Sequence, residues 1–182
     1  MPASEVGEGG TFVLTGVMAS GKSTVADLLA RRFERAVHLR GDVFRKMIVA
    51  GRDPISPPIG EEARRQLALR HRLAAQAAEE YRRAGFTVVL QDIYLGDDLD
   101  RVVSLLPTAP VFVVALVPTA SAVTERARRR EKGGYGEWSV EELCAGFEAE
   151  TPRIGLWLDT TSLTPEETVD TILSRRGEAR VR

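Results

Sequence analysis

The sequence is poor in three features that mark particular protein classes. Its single cysteine, Cys144, excludes a disulfide within the chain and fits a reducing compartment. Its longest apolar run, residues 111–117, is far too short to cross a bilayer as a helix, so we expect no membrane association. Residues 1–10 contain two glutamates, three glycines and no basic residue, which predicts a disordered tail rather than a signal peptide. We therefore expect a cytoplasmic protein.

The chain also lacks an excess of either charge. It has 25 lysines and arginines against 26 aspartates and glutamates, a net charge of -1, which excludes a globally basic surface but leaves a local basic patch open. Its 182 residues, 43% of them hydrophobic, suit one domain that buries its own core. We expect this domain to span residues 11–176 and residues 177–182 to form a frayed C-terminal tail.

The most informative stretch is Gly16–Ser23, which fits the phosphate-binding P-loop pattern G-x-x-x-x-G-K-[ST] at every fixed position. A short apolar run, residues 11–15, precedes it and is typical of a buried parallel strand. Apolar residues at helical spacing follow it. A strand, a glycine-rich loop and a helix in this order predict a site for a nucleoside triphosphate with Mg²⁺, which we take to be ATP.

The P-loop residues have distinct expected roles. Backbone N–H groups of the loop converge on the phosphates at the positive end of the helix dipole. Lys22 would reach the β- and γ-phosphates, Ser23 would bind Mg²⁺, and Thr24 would lie near the α-phosphate. The residues expected to bind the nucleotide are Gly16, Ala19, Ser20, Gly21, Lys22, Ser23, Thr24 and, from further along the chain, Arg126.

Two aspartates follow predicted strands. Asp42 comes after the strand at 36–39, and Asp92 follows the apolar run at 86–90. Because ligands bind at the carboxyl edge of an open parallel sheet, we expect both to face the phosphates, Asp42 as a base and Asp92 as a ligand of Mg²⁺ or of the acceptor. Two alternatives stay open, in which Asp42 is a helix N-cap and Asp92 caps a turn.

An arginine-rich helix end, residues 126–130, runs into the glycine-rich segment 133–136. This pattern suits a mobile lid that brings cations onto the transferring phosphate, and Arg126 and Arg130, which share a helix face, are the expected catalytic cations. The alternative is a solvated basic face, which we expect for Arg128 and Arg129. Strands and helices alternate along the chain, which predicts an α/β fold, a five-stranded parallel sheet flanked by helices.

Taken together, these residues resemble the small P-loop kinases, the group that contains chloramphenicol phosphotransferase, gluconate and shikimate kinases and 5′-hydroxyl polynucleotide kinases. The segment Gly41–Arg45 is the feature that points to kinases among the many proteins with a P-loop. The resemblance implies that Asp42 acts on the acceptor hydroxyl and that Arg45 contacts the acceptor. The resemblance also implies that Arg126 and Arg130 are the adenine-side and lid arginines. No motif identifies the acceptor.

Three functions follow as hypotheses. The first is an ATP-dependent phosphotransferase acting on a hydroxyl of a small molecule, such as an antibiotic or a sugar-like metabolite. The second is a nucleoside monophosphate or polynucleotide 5′-hydroxyl kinase with a basic groove formed by Arg40, Arg45, Arg52 and Arg64. The third is a nucleotide-dependent regulatory NTPase, for which Gln91 is the candidate residue to position water.

Overall fold

A computed structural model describes residues 9–56, 58–129 and 139–182. Within them the chain forms a five-stranded, all-parallel sheet in the order β2-β3-β1-β4-β5. The strands are β1 (Thr11–Thr15), β2 (Ala36–Arg40), β3 (Thr87–Gln91), β4 (Val111–Leu116) and β5 (Leu156–Leu158). The predicted α/β class with a five-stranded parallel sheet is confirmed.

The described helices connect the strands and cover both faces of the sheet, as parallel crossovers require. They are α1 (Lys22–Ala30), α2 (Asp42–Lys46), α3 (Glu61–Arg83), α4 (Asp98–Ser104), α5 (Ala120–Arg128), α6 (Val140–Glu150), α7 (Pro165–Ser174) and α8 (Arg176–Ala179). Among the described residues, no helix is both long and apolar enough to span a bilayer.

Alternate residues of the inner strands enter two separate cores. In β1, Phe12 and Leu14 pack with α1 and α7 on one face, while Val13 packs with α3 and α4 on the other. All three are at most 1% exposed. The period of two in a strand produces this split, and burial on both faces explains why β1 reads as a continuous apolar run.

The carboxyl ends of β2, β3 and β1 are tied together, and this edge carries the site. The Gly41 N–H donates to the Gln91 carbonyl, and the Asp92 N–H donates to the Leu14 carbonyl. Thr15 Oγ1 also accepts from the Tyr94 N–H at 3.0 Å. These bonds bring the loops after three neighbouring strands to one edge of the sheet.

The C-terminal residues differ from expectation. Residues 176–179 form α8, Ala179 is fully buried, and Val181 and Arg182 exchange backbone hydrogen bonds with Val111 of β4. The prediction of a frayed tail over residues 177–182 is therefore wrong. These residues pair with the interior strand β4, and their own basic composition gives no sign of that pairing. At the other end, Gly10 is buried and its carbonyl accepts from Val88, whereas residues 1–8 of the expected tail lie outside the described residues.

Candidate active site

The loop between β1 and α1 has the backbone of a phosphate cradle. Gly16 (φ 139°), Ala19 (φ 62°) and Gly21 (φ 103°) all have positive φ. A Cβ at Gly16 would lie 2.5 Å from the Leu116 carbonyl oxygen, so only glycine fits where the loop crosses β4. Gly21 is the N-cap of α1 without a side-chain cap, so the first N–H groups of α1 are left for an anion.

The polar side chains of this loop fit a bound triphosphate. The Lys22 Nζ donates to the carbonyls of Gly16 (2.8 Å) and Val17 (2.7 Å), which holds the ammonium against the rim of the loop. Ser20 Oγ is buried and has no hydrogen-bond partner among the described residues. Ser23 is half-buried and Thr24 is exposed at the mouth. A nucleotide would give partners to the Ser20 hydroxyl and the helix N-terminus.

A cavity of about 290 Å³ lies beside the P-loop, on the side of α5 and α7. Arg126 forms part of its wall, with guanidinium nitrogens donating to the carbonyls of Ser20 (3.1 Å) and Thr160 (2.6 Å). The cavity is lined by Ser20, Gly21, Thr24, Val25, Arg126, Arg129, Thr160, Leu163, Pro165 and Thr168. A cavity that continues from a phosphate loop and is lined by apolar groups and a planar cation suits a nucleoside.

The predicted arginine cluster is only partly described. Arg126 lies at the cavity, but Arg130 and the glycine-rich lid segment 133–136 lie outside the described residues. The side chain of Arg129 is 78% exposed, as we expected for a solvated residue, and its Nε donates to Glu125 at 2.9 Å at the border of the same cavity. Helical spacing alone did not indicate its position at the border of the cavity, because residues 160–168, which form part of the cavity wall, come much later in the sequence.

Asp42 lies at the other side of the P-loop, at the first position of α2. Its Oδ2 accepts from Lys46 one turn later, and its Oδ1 lies 3.7 Å from Arg40 Nε. Oδ1 is buried and accepts no hydrogen bond from the described residues. The N-cap position belongs to Gly41, so the alternative of Asp42 as a side-chain N-cap does not match the structure.

The charge of Asp42 follows from these neighbours. Burial works to raise the pKa of the carboxyl, but Lys46, Arg40 and Arg70 outweigh it and hold the pKa below its ordinary value. Asp42 is therefore a carboxylate at neutral pH, with one oxygen bonded to Lys46 and the other available to a donor. This is the state that a base for a hydroxyl group requires.

Asp92, at the end of β3, is paired with an arginine that the sequence did not single out. Arg70 of α3 donates Nε to Asp92 Oδ2 at 2.7 Å and Nη2 to Oδ1, and Oδ1 also accepts from the Ile93 N–H. Asp92 is 2% exposed. A Cβ at Gly41 would lie 2.0 Å from Asp92 Oδ2, so the chain after β2 approaches this pair as only glycine allows. A role of Asp92 on Mg²⁺ stays a prediction.

No spacing marked Arg70, because α3 carries several arginines and the partner of Arg70 comes 22 residues later. The only available signal was its place beside the buried face of the helix, next to His71. His71 is 3% exposed, and burial lowers its pKa to about 4, so it is neutral. Among the described residues, no group of three or more histidines, cysteines and carboxylates could hold a metal ion.

Arg45 and Gln91 complete the description of this edge. Arg45 donates Nη2 to the Asp53 carbonyl at 2.7 Å, while its Nε is buried without a partner among the described residues. The Gln91 Oε1 lies 3.2 Å from His38 Nε2, on the edge strand. The Gln91 amide, which a regulatory NTPase would use to position water, is therefore already in contact with His38.

The profile of one protein family, described as an AAA domain, matches residues 12–145. The chain belongs to this AAA-domain family. The matched segment includes the P-loop, Asp42, Asp92 and Arg126. No curated protein sequence matches the chain significantly.

Solved structures from several bacteria share the fold. A sugar kinase from Janibacter sp. HTCC2649 is 22% identical, with 94% of this chain and 96% of that chain covered and a TM-score of 0.67. The tunicamycin resistance protein of Deinococcus radiodurans is 16% identical, with 96% and 99% covered and a TM-score of 0.67. The Mycobacterium tuberculosis APS kinase CysC, in complex with AMPPNP and APS, is 21% identical, with 91% and 96% covered and a TM-score of 0.67. The P-loop kinase fold of this AAA-domain protein, and its resemblance to the small P-loop kinases, are confirmed.

Proposed function

We propose that the protein is an ATP-dependent kinase that transfers the γ-phosphoryl group to a hydroxyl of a small molecule. The observation that carries this proposal is Asp42, an ionised carboxylate whose buried Oδ1 accepts no hydrogen bond from the described residues, at the sheet edge that carries the P-loop. A carboxylate near phosphates is electrostatically unfavourable, so we infer that Asp42 has a chemical role there. Accepting the proton of an attacking hydroxyl is such a role.

The nucleotide would occupy the P-loop and the adjoining cavity. The N–H groups at the start of α1 and the Lys22 ammonium would bind the phosphates, and Arg126 would lie against the base, since its guanidinium is already fixed to Ser20 and Thr160. We assign Arg126 to nucleotide binding, with a catalytic contribution only through that positioning. Arg130 keeps its proposed role as the lid cation.

Mg²⁺ would be held by the Ser23 hydroxyl together with phosphate oxygens, and when bound it neutralises charge on the β- and γ-phosphates. The acceptor O–H would donate its proton to Asp42 Oδ1, while the oxygen forms a bond to the γ-phosphorus and the bond from that phosphorus to the ADP oxygen breaks. ADP and the phosphorylated acceptor are the products. Because the transition state of such transfers is loose, a carboxylate of low basicity suffices.

The decisive experiment measures transfer of radiolabelled γ-phosphate from ATP to antibiotics, sugars, sugar acids and nucleosides. Asp42→Asn should lower the transfer rate by about 10²- to 10⁴-fold, the range of general-base catalysis, and leave ATP affinity unchanged. Asp100→Asn is the matched control, since Asp100 is an exposed carboxylate on α4. Equal transfer rates in the Asp42 variant and the wild type would remove Asp42 from the mechanism.

A nucleic-acid 5′ end is the second candidate acceptor. Basic side chains favour it, since Arg40 and Lys46 flank the Asp42 carboxylate, and Arg52 and Arg64 are exposed in the loop after α2 and in the first turn of α3. Binding of a 5′-hydroxyl oligonucleotide would then weaken steeply as salt rises, because each neutralised phosphate releases counterions. A flat salt dependence would exclude this candidate.

A further inference from the structure

Large apolar side chains are exposed around Asp42 but not around the nucleotide cavity. Most of those exposed among the described residues belong to the P-loop, to α2 and the chain after it, to the face of α3 that carries Arg70, and to the loop after β3. In the described part of α5, α6 and α7, on the nucleotide side, none is exposed. We call six of them the Asp42 apolar surface: Met18, Val43, Met47, Leu69, Leu73 and Ile93. Concentration of exposed apolar groups at one place is typical of a binding surface.

Polar contacts hold two of these segments together beside Asp42. Gln66 of α3 donates Nε2 to the Gly51 carbonyl at 2.8 Å, and its Oε1 accepts from the Asp53 N–H at 3.0 Å. Arg45 of α2 donates to the Asp53 carbonyl at 2.7 Å. Both backbone polar groups of Asp53 are therefore bound by side chains from two different helices, and these bonds fix the chain after α2 against α3.

Leu69 and Leu73 lie on the side of α3 that these contacts fix. Residues three, four or seven positions apart share a helix face, so both leucines lie on the face that carries Gln66 and Arg70. Gln66 is bonded to the chain after α2, whereas Arg70 is bonded to Asp92 at the end of β3. The two leucines are therefore placed between α2 and the loop after β3, on the side of the sheet edge where Asp42 lies.

The buried oxygen of Asp42 indicates what covers this surface. Lys46 is paired with Asp42 Oδ2, and Arg70 is paired with Asp92, so these charges are already compensated. Asp42 Oδ1 is buried and accepts no hydrogen bond from the described residues. A lipid surface would cover this oxygen without supplying a donor, which is costly, whereas an alcohol supplies its O–H. An alcohol with an apolar body therefore satisfies both the oxygen and the apolar side chains.

We propose that the phosphate acceptor is an alcohol with an alkyl or aryl body, which packs on the Asp42 apolar surface while its hydroxyl reaches Asp42 Oδ1. This inference rests on the proposed kinase function, because that function places the hydroxyl at Asp42. The hydroxyl oxygen bonds to the γ-phosphorus, its proton goes to Asp42, and ADP leaves. Alcohols without an apolar body are then poor acceptors, because they leave the apolar side chains in water.

The test uses β-D-glucosides that share one sugar and differ only in their alkyl chain: methyl, butyl, hexyl and octyl, each below its micelle concentration. Calorimetry measures their binding to protein saturated with Mg²⁺ and AMPPNP. The chain has three methionines, so ¹³C-methyl labelling gives separate signals for Met18 and Met47, assigned by Met18→Leu and Met47→Leu. Nucleotide binding and transfer of labelled γ-phosphate from ATP are measured separately.

We expect affinity to rise about threefold to fourfold for each methylene group that the surface covers, and the Met47 signal to shift as the longer glucosides bind. Transfer to the hexyl glucoside should exceed transfer to the methyl glucoside by a similar factor in kcat/KM. Leu69→Asn and Leu73→Asn should each weaken hexyl glucoside binding by about tenfold and leave methyl glucoside binding unchanged. Leu105→Asn, an exposed leucine at the end of α4, is the matched control. Thermal unfolding verifies that each variant is folded.

Three results would overturn the inference. The first is no gain in affinity from the methyl to the hexyl glucoside, which leaves the kinase proposal intact. The second is a gain as steep in Leu69→Asn as in the wild type, with no shift of the Met47 signal, because the chain then binds elsewhere. The third is a dimer that Leu69→Asn dissociates, or binding to phosphatidylcholine vesicles, because the surface then serves a second copy or a membrane.

Failure of the kinase proposal would be distinguishable. Loss of nucleotide binding, or transfer that Asp42→Asn does not slow, would refute that proposal. Calorimetry with the glucosides in nucleotide-free protein would still show whether the Asp42 apolar surface binds an alkyl chain.

Discussion

Breaking the buried Arg70–Asp92 pair should destabilise the protein far more than breaking an exposed ion pair. Arg70→Met keeps the apolar stem of the side chain and removes the guanidinium. It leaves the Asp92 carboxylate, which is 2% exposed, with the Ile93 N–H but without a cation. Glu61→Ala on the same helix breaks the pair with Arg65, whose side chains are 66% and 78% exposed, and serves as the control.

The size of the stability loss depends on whether the Asp92 carboxylate, left without a cation, stays charged or binds a proton. Removing one partner of a buried ion pair costs about 3–5 kcal/mol. Asp92 can instead become neutral by binding a proton. Protonating an ordinary aspartate at pH 7 costs about 4 kcal/mol, so the loss of folding stability is limited to about that value. The loss should shrink by about 1.4 kcal/mol for each pH unit below 7, because the variant binds one more proton folded than unfolded. The control should lose less than about 1 kcal/mol.

Thermal and urea unfolding measure these losses. For a domain of this size, 1 kcal/mol lowers Tm by about 2–4 °C, so Arg70→Met should lower Tm by about 6–16 °C at pH 7. The double variant Arg70→Met/Asp92→Leu should recover most of the loss, since it removes both charges. High salt should erase the effect of Glu61→Ala but not that of Arg70→Met, because buried pairs are weakly screened.

Two outcomes would refute this reasoning. One is a loss below about 1 kcal/mol for Arg70→Met at pH 7, which would mean that water or another cation reaches Asp92. The other is a double variant less stable than either single variant. In that case the two residues would stabilise the fold by packing and not by their charges.

Three further predictions concern the backbone, pH and capping. Gly16→Ala should cost about 1–3 kcal/mol of stability and weaken nucleotide binding, since φ is 139° and the new Cβ would meet the Leu116 carbonyl at 2.5 Å. The control is Gly146→Ala on α6, where a Cβ would meet open space, and it should stabilise the protein by about 0.5–1 kcal/mol. The folded-state pKa of His71, about 4 against an ordinary 6.5, should reduce stability as pH falls from about 6.5 to 4, by about 3 kcal/mol in all, and His71→Phe should remove this slope. Thr164→Ala should lose about 1 kcal/mol, since its hydroxyl accepts from the N–H of Glu167, the third residue of α7.

Each of these has a contradicting result. Unchanged Tm in Gly16→Ala would mean that the loop can move away from β4. A stability profile of His71→Phe that parallels the wild type between pH 4 and 6.5 would assign the acid sensitivity to other groups. A loss of less than a few tenths of a kcal/mol in Thr164→Ala would mean that water replaces the cap.

Elements whose signals are local were predictable from the sequence. The β1 bounds match the apolar run at 11–15. The sequence patterns Ser-x-x-Glu at Ser139 and Thr-x-x-Glu at Thr164 are typical of capping boxes, and both boxes are formed. The long helix α3 begins at Glu61, directly after Gly60, where a run without proline or glycine starts. Each of these depends on residues within a few positions of one another, so spacing and residue type suffice.

The candidate site divides in the same way. The P-loop residues and Asp42 could be chosen from the sequence because a strand end followed by a helix start determines where their backbone lies. The pair Arg70–Asp92, separated by 22 residues, could not. Nor could the hydrogen bond from Arg126 to the carbonyl of Ser20, which lies 106 residues earlier.

The sequence by itself determined that this chain has a phosphate cradle at residues 16–24, followed by a parallel α/β sheet with acidic residues at its carboxyl edge. Only the tertiary structure decided which charges meet at that edge, namely that Arg70 bonds to Asp92, that Lys46 and Arg40 flank Asp42, and that Arg45 retains an unpaired donor. The physical reason is that phosphate binding by backbone amides depends on local conformation, whereas pairing of side-chain charges depends on which strands and helices are neighbours in space.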